Sequence, residues 1–130
     1  MQTDPLGDFL TQIRNANLAA LPEIVAPYSK LKSEVGQVLK REGFIADCEL
    51  TKHRDKPALK LTLKAGSGAK AIRGIKRVSR PGLRRYVGSS EIPRVLGGLG
   101  VAVLSTSRGI LTGHEAKKQN VGGEILLYVW

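Results

Sequence analysis

Three consecutive hydroxyl side chains near the end of the chain are followed by an arginine and a glycine. The apolar residues 101–104 lead directly into Ser105, Thr106 and Ser107, and Arg108 and Gly109 come next. Aliphatic residues favour a packed strand and glycine tolerates the positive φ of a tight turn, so the segment predicts a strand, a turn centred on the Arg-Gly pair and a return strand. Hydroxyls there can bond base edges, 2′-hydroxyls and phosphates, or can merely satisfy local backbone groups.

Positive charge is concentrated in the second half of the chain. The formal net charge is +10, and residues 1–64 carry ten Lys or Arg against eight acids, whereas residues 65–130 carry eleven against three. A strongly basic half indicates a polyanionic partner, either a nucleic acid or an anionic membrane surface. A basic amphipathic helix with an aromatic face is absent from the sequence, which argues against a membrane.

The densest cationic run lies between Lys70 and Arg85 and contains no acid. Its alternating cations suggest a hairpin with guanidinium groups on both faces, although a solvated surface would give the same pattern. Tyr86 could stack on a base or sugar or belong to the core. Lys30 adds charge at a predicted helix start, and Glu124 could accept from a base amino group or pair with an arginine. The candidate polyanion-binding cations are Lys30, Arg80, Arg84, Arg85 and Arg108.

The first half predicts an α-β-α-β-β unit. Asp4-Pro5 is a helix start signal, Ser29 is a candidate N-cap for a second helix, and Gly43 is placed for a left-handed C′ residue. Strands are predicted at 23–26, 44–51 and 58–63, with residues 53–57 as a hairpin loop. Residues 65–68 form the best candidate linker, so we expect two α+β subdomains, 1–64 and 65–130.

The second half predicts a mostly antiparallel β unit with short helices. Strands are expected at 72–79 and 83–87 around a turn at 80–82, and one helical turn at 90–95. Thr112 to Glu115 fits a capping box, so a short helix should run to about Asn120, and a final strand spans residues 124–130.

Enzymatic chemistry finds little support in the sequence. The run around Ser107 lacks the first glycine of a nucleophile elbow and leads into a strand rather than a helix. Gly97, Gly98 and Gly100 precede a strand, unlike phosphate-binding glycines. Cys48, the only cysteine, excludes an internal disulfide, and with two histidines gives no metal-binding pattern. We expect no cofactor, no metal, no small-molecule substrate, and no signal peptide or membrane span.

Several motifs spread over the whole chain resemble one family. They include Thr3-Asp4-Pro5 with Ile13-Arg14-Asn15-Ala16, Ser29-Lys30-Leu31-Lys32, and Leu39 through Ile45. The later motifs are Arg77-Val78-Ser79-Arg80-Pro81-Gly82-Leu83-Arg84, Ile92-Pro93, Gly98-Leu99-Gly100, Ser105-Thr106-Ser107-Arg108-Gly109, and Gly122-Gly123-Glu124 through Trp130. Together they resemble bacterial ribosomal small-subunit protein eight.

The resemblance implies a cytoplasmic, non-enzymatic protein that binds the central domain of 16S rRNA and helps assemble the platform of the 30S subunit. It assigns RNA contact to Ser105, Thr106, Ser107 and Gly109, with support from Lys30, Tyr86 and Glu124. It also implies neighbours such as small-subunit proteins five and twelve, and in some members repression of translation through binding their own mRNA.

Two other functions remain as alternatives. A DNA-binding architectural protein would need an element for the major groove or an intercalating wedge, and the sequence offers neither. An RNA-processing enzyme would need a metal site or an acid-base pair, and no such pattern occurs.

Overall fold

The computed structural model describes residues 4–64 and 72–130, which form two compact units. Asp8–Ile72 make up the N-terminal unit, and Met1–Gly7 together with Arg73–Trp130 make up the C-terminal unit. Both contain antiparallel sheets with few helices, which confirms the predicted α+β class. The candidate linker and Lys70 lie outside the described residues.

The N-terminal unit has the predicted α-β-α-β-β order. Its sheet is antiparallel with strand order β1-β3-β2. The boundary with the other unit falls within the first helix. The elements are α1 (Pro5–Leu18), β1 (Glu23–Pro27), α2 (Lys30–Arg41), β2 (Asp47–His53) and β3 (Lys56–Thr62).

Local signals fix both ends of α2. The Ser29 side chain accepts a hydrogen bond from the Lys32 amide and caps the first turn. At the other end Gly43 has φ +83°, and the Phe44 amide donates to the Leu39 carbonyl at 2.9 Å. This is a Schellman arrangement, which needs the left-handed conformation that glycine adopts without strain, so both predicted caps are confirmed.

The hairpin between β2 and β3 is tighter than predicted. His53 pairs with Lys56, so only Arg54 and Asp55 form the turn, with φ values of +53° and +64°. Two central residues with positive φ define a type I′ turn, whose twist matches that of the strands. The predicted loop of residues 53–57 is therefore wrong, since Pro57 lies inside β3.

Helix α2 packs closely on β2 through Gly36 and Cys48. Cys48 is buried as predicted, and burial raises the pKa of its thiol. A Cβ atom placed on Gly36 would lie 2.5 Å from the Cys48 Sγ atom. The absence of a side chain at Gly36 therefore sets how closely the helix approaches the strand.

The C-terminal unit is a five-stranded antiparallel sheet with one short α-helix and a 3-10 turn. Its strand order is β4-β8-β6-β7, and β5 also pairs with β8. The elements are β4 (Ile75–Arg77), β5 (Tyr86–Val87), a 3-10 turn (Val95–Gly98), β6 (Val101–Thr106), β7 (Gly109–Thr112), α3 (Gly113–Lys118) and β8 (Gly123–Val129).

The predicted hairpin of residues 72–79 and 83–87 is wrong. β4 and β5 do not pair with each other; both pair with the same edge of β8, because β6 occupies the other edge. The predicted turn does form, with reciprocal backbone hydrogen bonds between Arg80 and Leu83. Period-two patterning identified strand residues here but could not identify their partner.

Two further sequence predictions have different outcomes. The capping box on α3 is confirmed, because the Thr112 side chain accepts from the Glu115 amide and the Glu115 carboxylate accepts from the Thr112 amide. The helical turn expected at 90–95 instead begins at Val95, and Leu96, Gly97 and Gly98 have positive φ. Two glycines make that reversal of the chain accessible.

One face of the C-terminal sheet packs against α3 and the 3-10 turn. The single tryptophan, Trp130, is half-buried and packs at the edge of this core. The buried residues of the cluster are Ile92, Val95, Ala102, Leu104, Leu111, Ala116 and Ile125.

Arg77 is anchored inside the C-terminal unit rather than displayed on its surface. Its Nε donates to the Asp4 carboxylate at 3.2 Å, and its Nη1 donates to the Leu126 carbonyl at 2.8 Å. Only 12% of the Arg77 side chain is exposed. This cation is therefore structural, and it ties residue 4 to strand β8.

Replacing Gly36 by Ala should destabilise the protein, and the sign should reverse when Cys48 is also Ala. Overpacking costs about 1–3 kcal/mol, and the short distance to sulfur places the cost in the upper part of that range, above the gain of about 1 kcal/mol in helix propensity. In the Cys48→Ala background only the helix gain remains, so Gly36→Ala should stabilise. Urea unfolding followed by circular dichroism measures both; destabilisation in both backgrounds would contradict the packing role of Gly36.

Replacing Asp4 by Asn should lower the stability of the C-terminal unit by about 1–2 kcal/mol, because a charged hydrogen-bond partner of Arg77 is lost. Asn has nearly the same size and keeps one acceptor oxygen, so the change mainly removes the negative charge that pairs with Arg77. Trp130 fluorescence during denaturation reports on this unit. Asp8→Asn, at an exposed acid in the first turn of α1 and outside the C-terminal unit, is the control for loss of one negative charge, and equal effects of the two variants would contradict the anchoring role of Asp4.

Candidate nucleic-acid interface

The hydroxyl segment forms the end of the β6–β7 hairpin. Thr106 pairs with Gly109, so Ser107 and Arg108 are the connecting residues. Both have negative φ, and Gly109 follows with φ +103°. Negative φ at both connecting residues excludes the type I′ and II′ turns, and the turn centre lies one residue before the predicted Arg-Gly pair.

The three hydroxyls have different roles. The Thr106 Oγ1 atom donates to the Gly109 carbonyl at 2.8 Å and accepts from the Arg108 amide at 3.1 Å. Neither the Ser105 nor the Ser107 hydroxyl has a hydrogen-bond partner among the described residues. Thr106 therefore stabilises the turn, whereas the two serines are available to a ligand.

The strand register places three of the predicted residues in one row. Tyr86 of β5 pairs with Glu124 of β8, which pairs with Ser105 of β6. Directly opposed residues point to the same face of a sheet, so the three side chains are neighbours beside the Ser107–Arg108 turn. Tyr86 is 70% exposed, which excludes it from the core and leaves its ring available for stacking.

Glu124 is held by two donors from the segment between β4 and β5. Its Oε2 atom accepts from the Ser79 hydroxyl and from the Arg84 guanidinium, the latter at 3.0 Å. Ser79 is completely buried, and its Oγ atom also accepts from the Arg85 amide at 3.2 Å. Sequence reasoning missed Ser79 as a site residue, because its hydrogen bond to Glu124 joins residues 45 positions apart.

The predicted cations divide into paired and unpaired groups. Arg84 pairs with Glu124, as the alternative interpretation of that acid anticipated. Arg80, Arg85 and Arg108 are exposed, and none forms an ion pair with another described residue. Lys30 is exposed at the first residue of α2 and belongs to the N-terminal unit.

Two other kinds of site were sought in the described residues. Within residues 4–64 and 72–130, no group of three or more His, Cys, Asp or Glu side chains could hold a metal ion. No helix in the described part of the chain is long and apolar enough to cross a membrane.

Comparison with known proteins gives full-length matches. The chain matches the family described as Ribosomal protein S8 over residues 4–130. It is similar to small ribosomal subunit protein uS8 of Lactobacillus delbrueckii subsp. bulgaricus, with 51% identity over 129 residues and 98% of each chain covered. The protein of the same name from Shouchella clausii is 52% identical over 131 residues, covering 100% of this chain and 99% of that protein.

Replacing Thr106 by Val should destabilise the C-terminal unit by about 1 kcal/mol, because the turn loses both hydrogen bonds of that hydroxyl. Ser107→Ala should change stability by less than about 0.5 kcal/mol, since an exposed hydroxyl without a partner is removed. Thermal unfolding followed by Trp130 fluorescence compares the two variants. Equal effects would show that the hydroxyls do not have the separate roles described above.

Proposed function

The chain belongs to the ribosomal protein S8 family, and from this we propose that it is a structural constituent of the small ribosomal subunit that binds 16S rRNA directly. The family is structural, and the chain is not an enzyme. The finer proposal is that it binds the central domain of that RNA and helps assemble the platform of the 30S subunit.

The observation that carries RNA binding is the row of Tyr86, Glu124 and Ser105 beside the exposed turn at Ser107 and Arg108. The row and the turn together combine an aromatic ring for stacking, a carboxylate acceptor, and the hydroxyls of Ser105 and Ser107, which have no partner among the described residues. The wide, shallow minor groove of RNA displays 2′-hydroxyls and base edges, which are partners for these groups. Because the row lies on a hydrogen-bonded sheet, its geometry exists before binding.

The arginines without an ion pair are further evidence for an RNA-binding surface on this unit. Arg80, Arg85 and Arg108 belong to the same unit as the row, and their guanidinium groups can contact phosphates. Phosphate contacts position a protein on RNA, whereas the row supplies contacts that distinguish RNA from DNA. Lys30 is proposed as an additional contact from the N-terminal unit.

The remaining proposals follow from family resemblance. We place the protein in the cytoplasm, on the ribosome, with small-subunit proteins five and twelve among its neighbours. Binding of its own mRNA would use the same surface, because the resemblance implies that some members repress translation by binding an mRNA structure similar to the ribosomal site.

Replacing both Ser105 and Ser107 by Ala should weaken binding to a central-domain fragment of 16S rRNA by roughly 5- to 150-fold, the equivalent of about 1–3 kcal/mol. The slope of affinity against salt should stay as in the wild type, because no charge is removed. Titrations at several salt concentrations measure both quantities.

The matched control is the double change Thr51→Val and Thr62→Val, which removes two hydroxyls from the N-terminal unit outside the proposed contacts. It should leave RNA affinity unchanged. A DNA duplex of the same stem sequence should bind more weakly than the RNA. Unchanged RNA affinity of the serine variant would refute the proposed contact, and equal binding of DNA would favour the architectural alternative.

A further inference from the structure

The two oxygens of the Glu124 carboxylate have different surroundings. Oε2 accepts from Ser79 and from Arg84, whereas Oε1 has no hydrogen-bond partner among the described residues. The side chain is 17% exposed, and no described buried polar side-chain atom lacks a partner, so Oε1 is reachable from solvent. One oxygen is engaged by the protein and the other is presented outward.

Ser79 determines which oxygen is engaged. Its Oγ atom accepts from the Arg85 amide, so the single hydroxyl proton is directed toward Glu124. Ser79 is completely buried, and its own amide donates to the Ile125 carbonyl at 3.0 Å, which fixes its backbone on β8. The position of the Ser79 hydroxyl relative to β8 is therefore fixed.

We propose that Ser79 is a positioning residue that holds Glu124 by Oε2, so that Oε1 is presented, between Tyr86 and Ser105, to a donor group of RNA. This inference rests on the proposed function and specifies the chemistry of its central contact. An ionised carboxylate only accepts hydrogen bonds and repels phosphate. Its ligand must therefore be an O–H or N–H group.

The surrounding charges are consistent with that division. Arg85 and Arg108 are exposed and have no ion pair among the described residues, so they provide the attraction for phosphates. Glu124 lies at the centre of the row, between Tyr86 and Ser105. We expect it to face the base edges and sugars of the RNA groove rather than the phosphate backbone. In the RNA minor groove the available donors are the 2′-hydroxyl and the guanine amino group.

Glu124→Gln tests the inference, because it should weaken RNA binding although it removes a negative charge. Ser79 and Arg84 are both donors, so Gln would turn its carbonyl oxygen toward them and present its NH₂ group outward. An acceptor would become a donor, and affinity for the central-domain fragment should fall at least about tenfold, since charge-assisted hydrogen bonds are among the stronger ones. The fall should occur even though the net charge rises from +10 by one.

Glu91→Gln is the matched control, because Glu91 is an exposed acid of the same unit and the change in charge is identical. It should leave affinity unchanged or raise it slightly. If Glu124 only neutralised Arg84, Glu124→Gln would raise affinity and steepen the salt slope, because a guanidinium would be released. That outcome would overturn the inference.

Ser79→Ala tests the positioning role. Affinity should fall about three- to tenfold with an unchanged salt slope, and the variant carrying both Ser79→Ala and Glu124→Gln should bind no more weakly than Glu124→Gln alone. Ser79→Cys keeps a weaker donor of similar size and should show an intermediate loss, which preserves the test if the Ala variant unfolds. Additive losses in the double variant would show that Ser79 acts independently of Glu124, which would overturn the positioning role.

Modified RNA fragments identify the donor. One set carries single 2′-deoxy substitutions. The other carries single replacements of guanosine by inosine, and inosine lacks the amino group. At one position the modification should weaken binding of the wild-type protein but not of Glu124→Gln. If that position carries a 2′-deoxy substitution, the donor is a 2′-hydroxyl; if it carries inosine, the donor is a guanine amino group. If no position in either set behaves so, the inference is wrong; if the unmodified fragment does not bind the wild-type protein, the proposed function fails instead.

Discussion

Hydrogen bonding along both edges of β8 organises the C-terminal unit. β6 pairs along one edge, while β4, β5 and the residues between them pair along the other. The amides of Val78 and Ser79 donate to β8, and the Ile125 amide donates to the Arg85 carbonyl at 2.9 Å. Since neither edge is free, the register of every neighbouring strand is set relative to Glu124, and so is the spacing of the candidate contact residues.

The hairpin turn and the segment between β4 and β5 depend on this constraint in different ways. The β6–β7 turn is stabilised locally, through the Thr106 hydroxyl and the left-handed Gly109. The Ser79–Arg85 segment is stabilised by long-range contacts to β8. The turn, stabilised locally, and the Ser79–Arg85 segment, stabilised by long-range contacts, thus place their side chains on a single surface. This surface combines neutral, cationic and anionic side chains.

The sequence predicted the features that depend on neighbouring residues. The caps at Ser29, Gly43 and Thr112, the turn after Arg80 and the α+β class are all confirmed. The pairing of β4 and β5 was wrong, because alternation of side chains does not specify a partner strand. Ser79 was missed for a related reason, since its contact with Glu124 spans 45 residues.

Which cations are available could not be read from the sequence either. Arg77 and Arg84 lie in the same basic run as Arg80 and Arg85, yet the first two have carboxylate partners 73 and 40 residues away. A charge run predicts a polyanion-binding region, but its free charges are those left after tertiary ion pairs have formed. The carboxylates of Asp4 and Glu124 therefore determine which arginines of the run form ion pairs.

The contact between Asp4 and Arg77 also affects the order in which the chain can fold during synthesis. Asp4 groups with residues that follow Arg73, so the N-terminal unit interrupts the C-terminal unit in the sequence. Chains emerge N-terminus first, and domains generally fold as units. The strands of the interrupting unit are complete by Thr62, whereas β8 ends at Val129. Asp4 must therefore wait for β8, the last strand, to hold Arg77 before its ionic partner is in place.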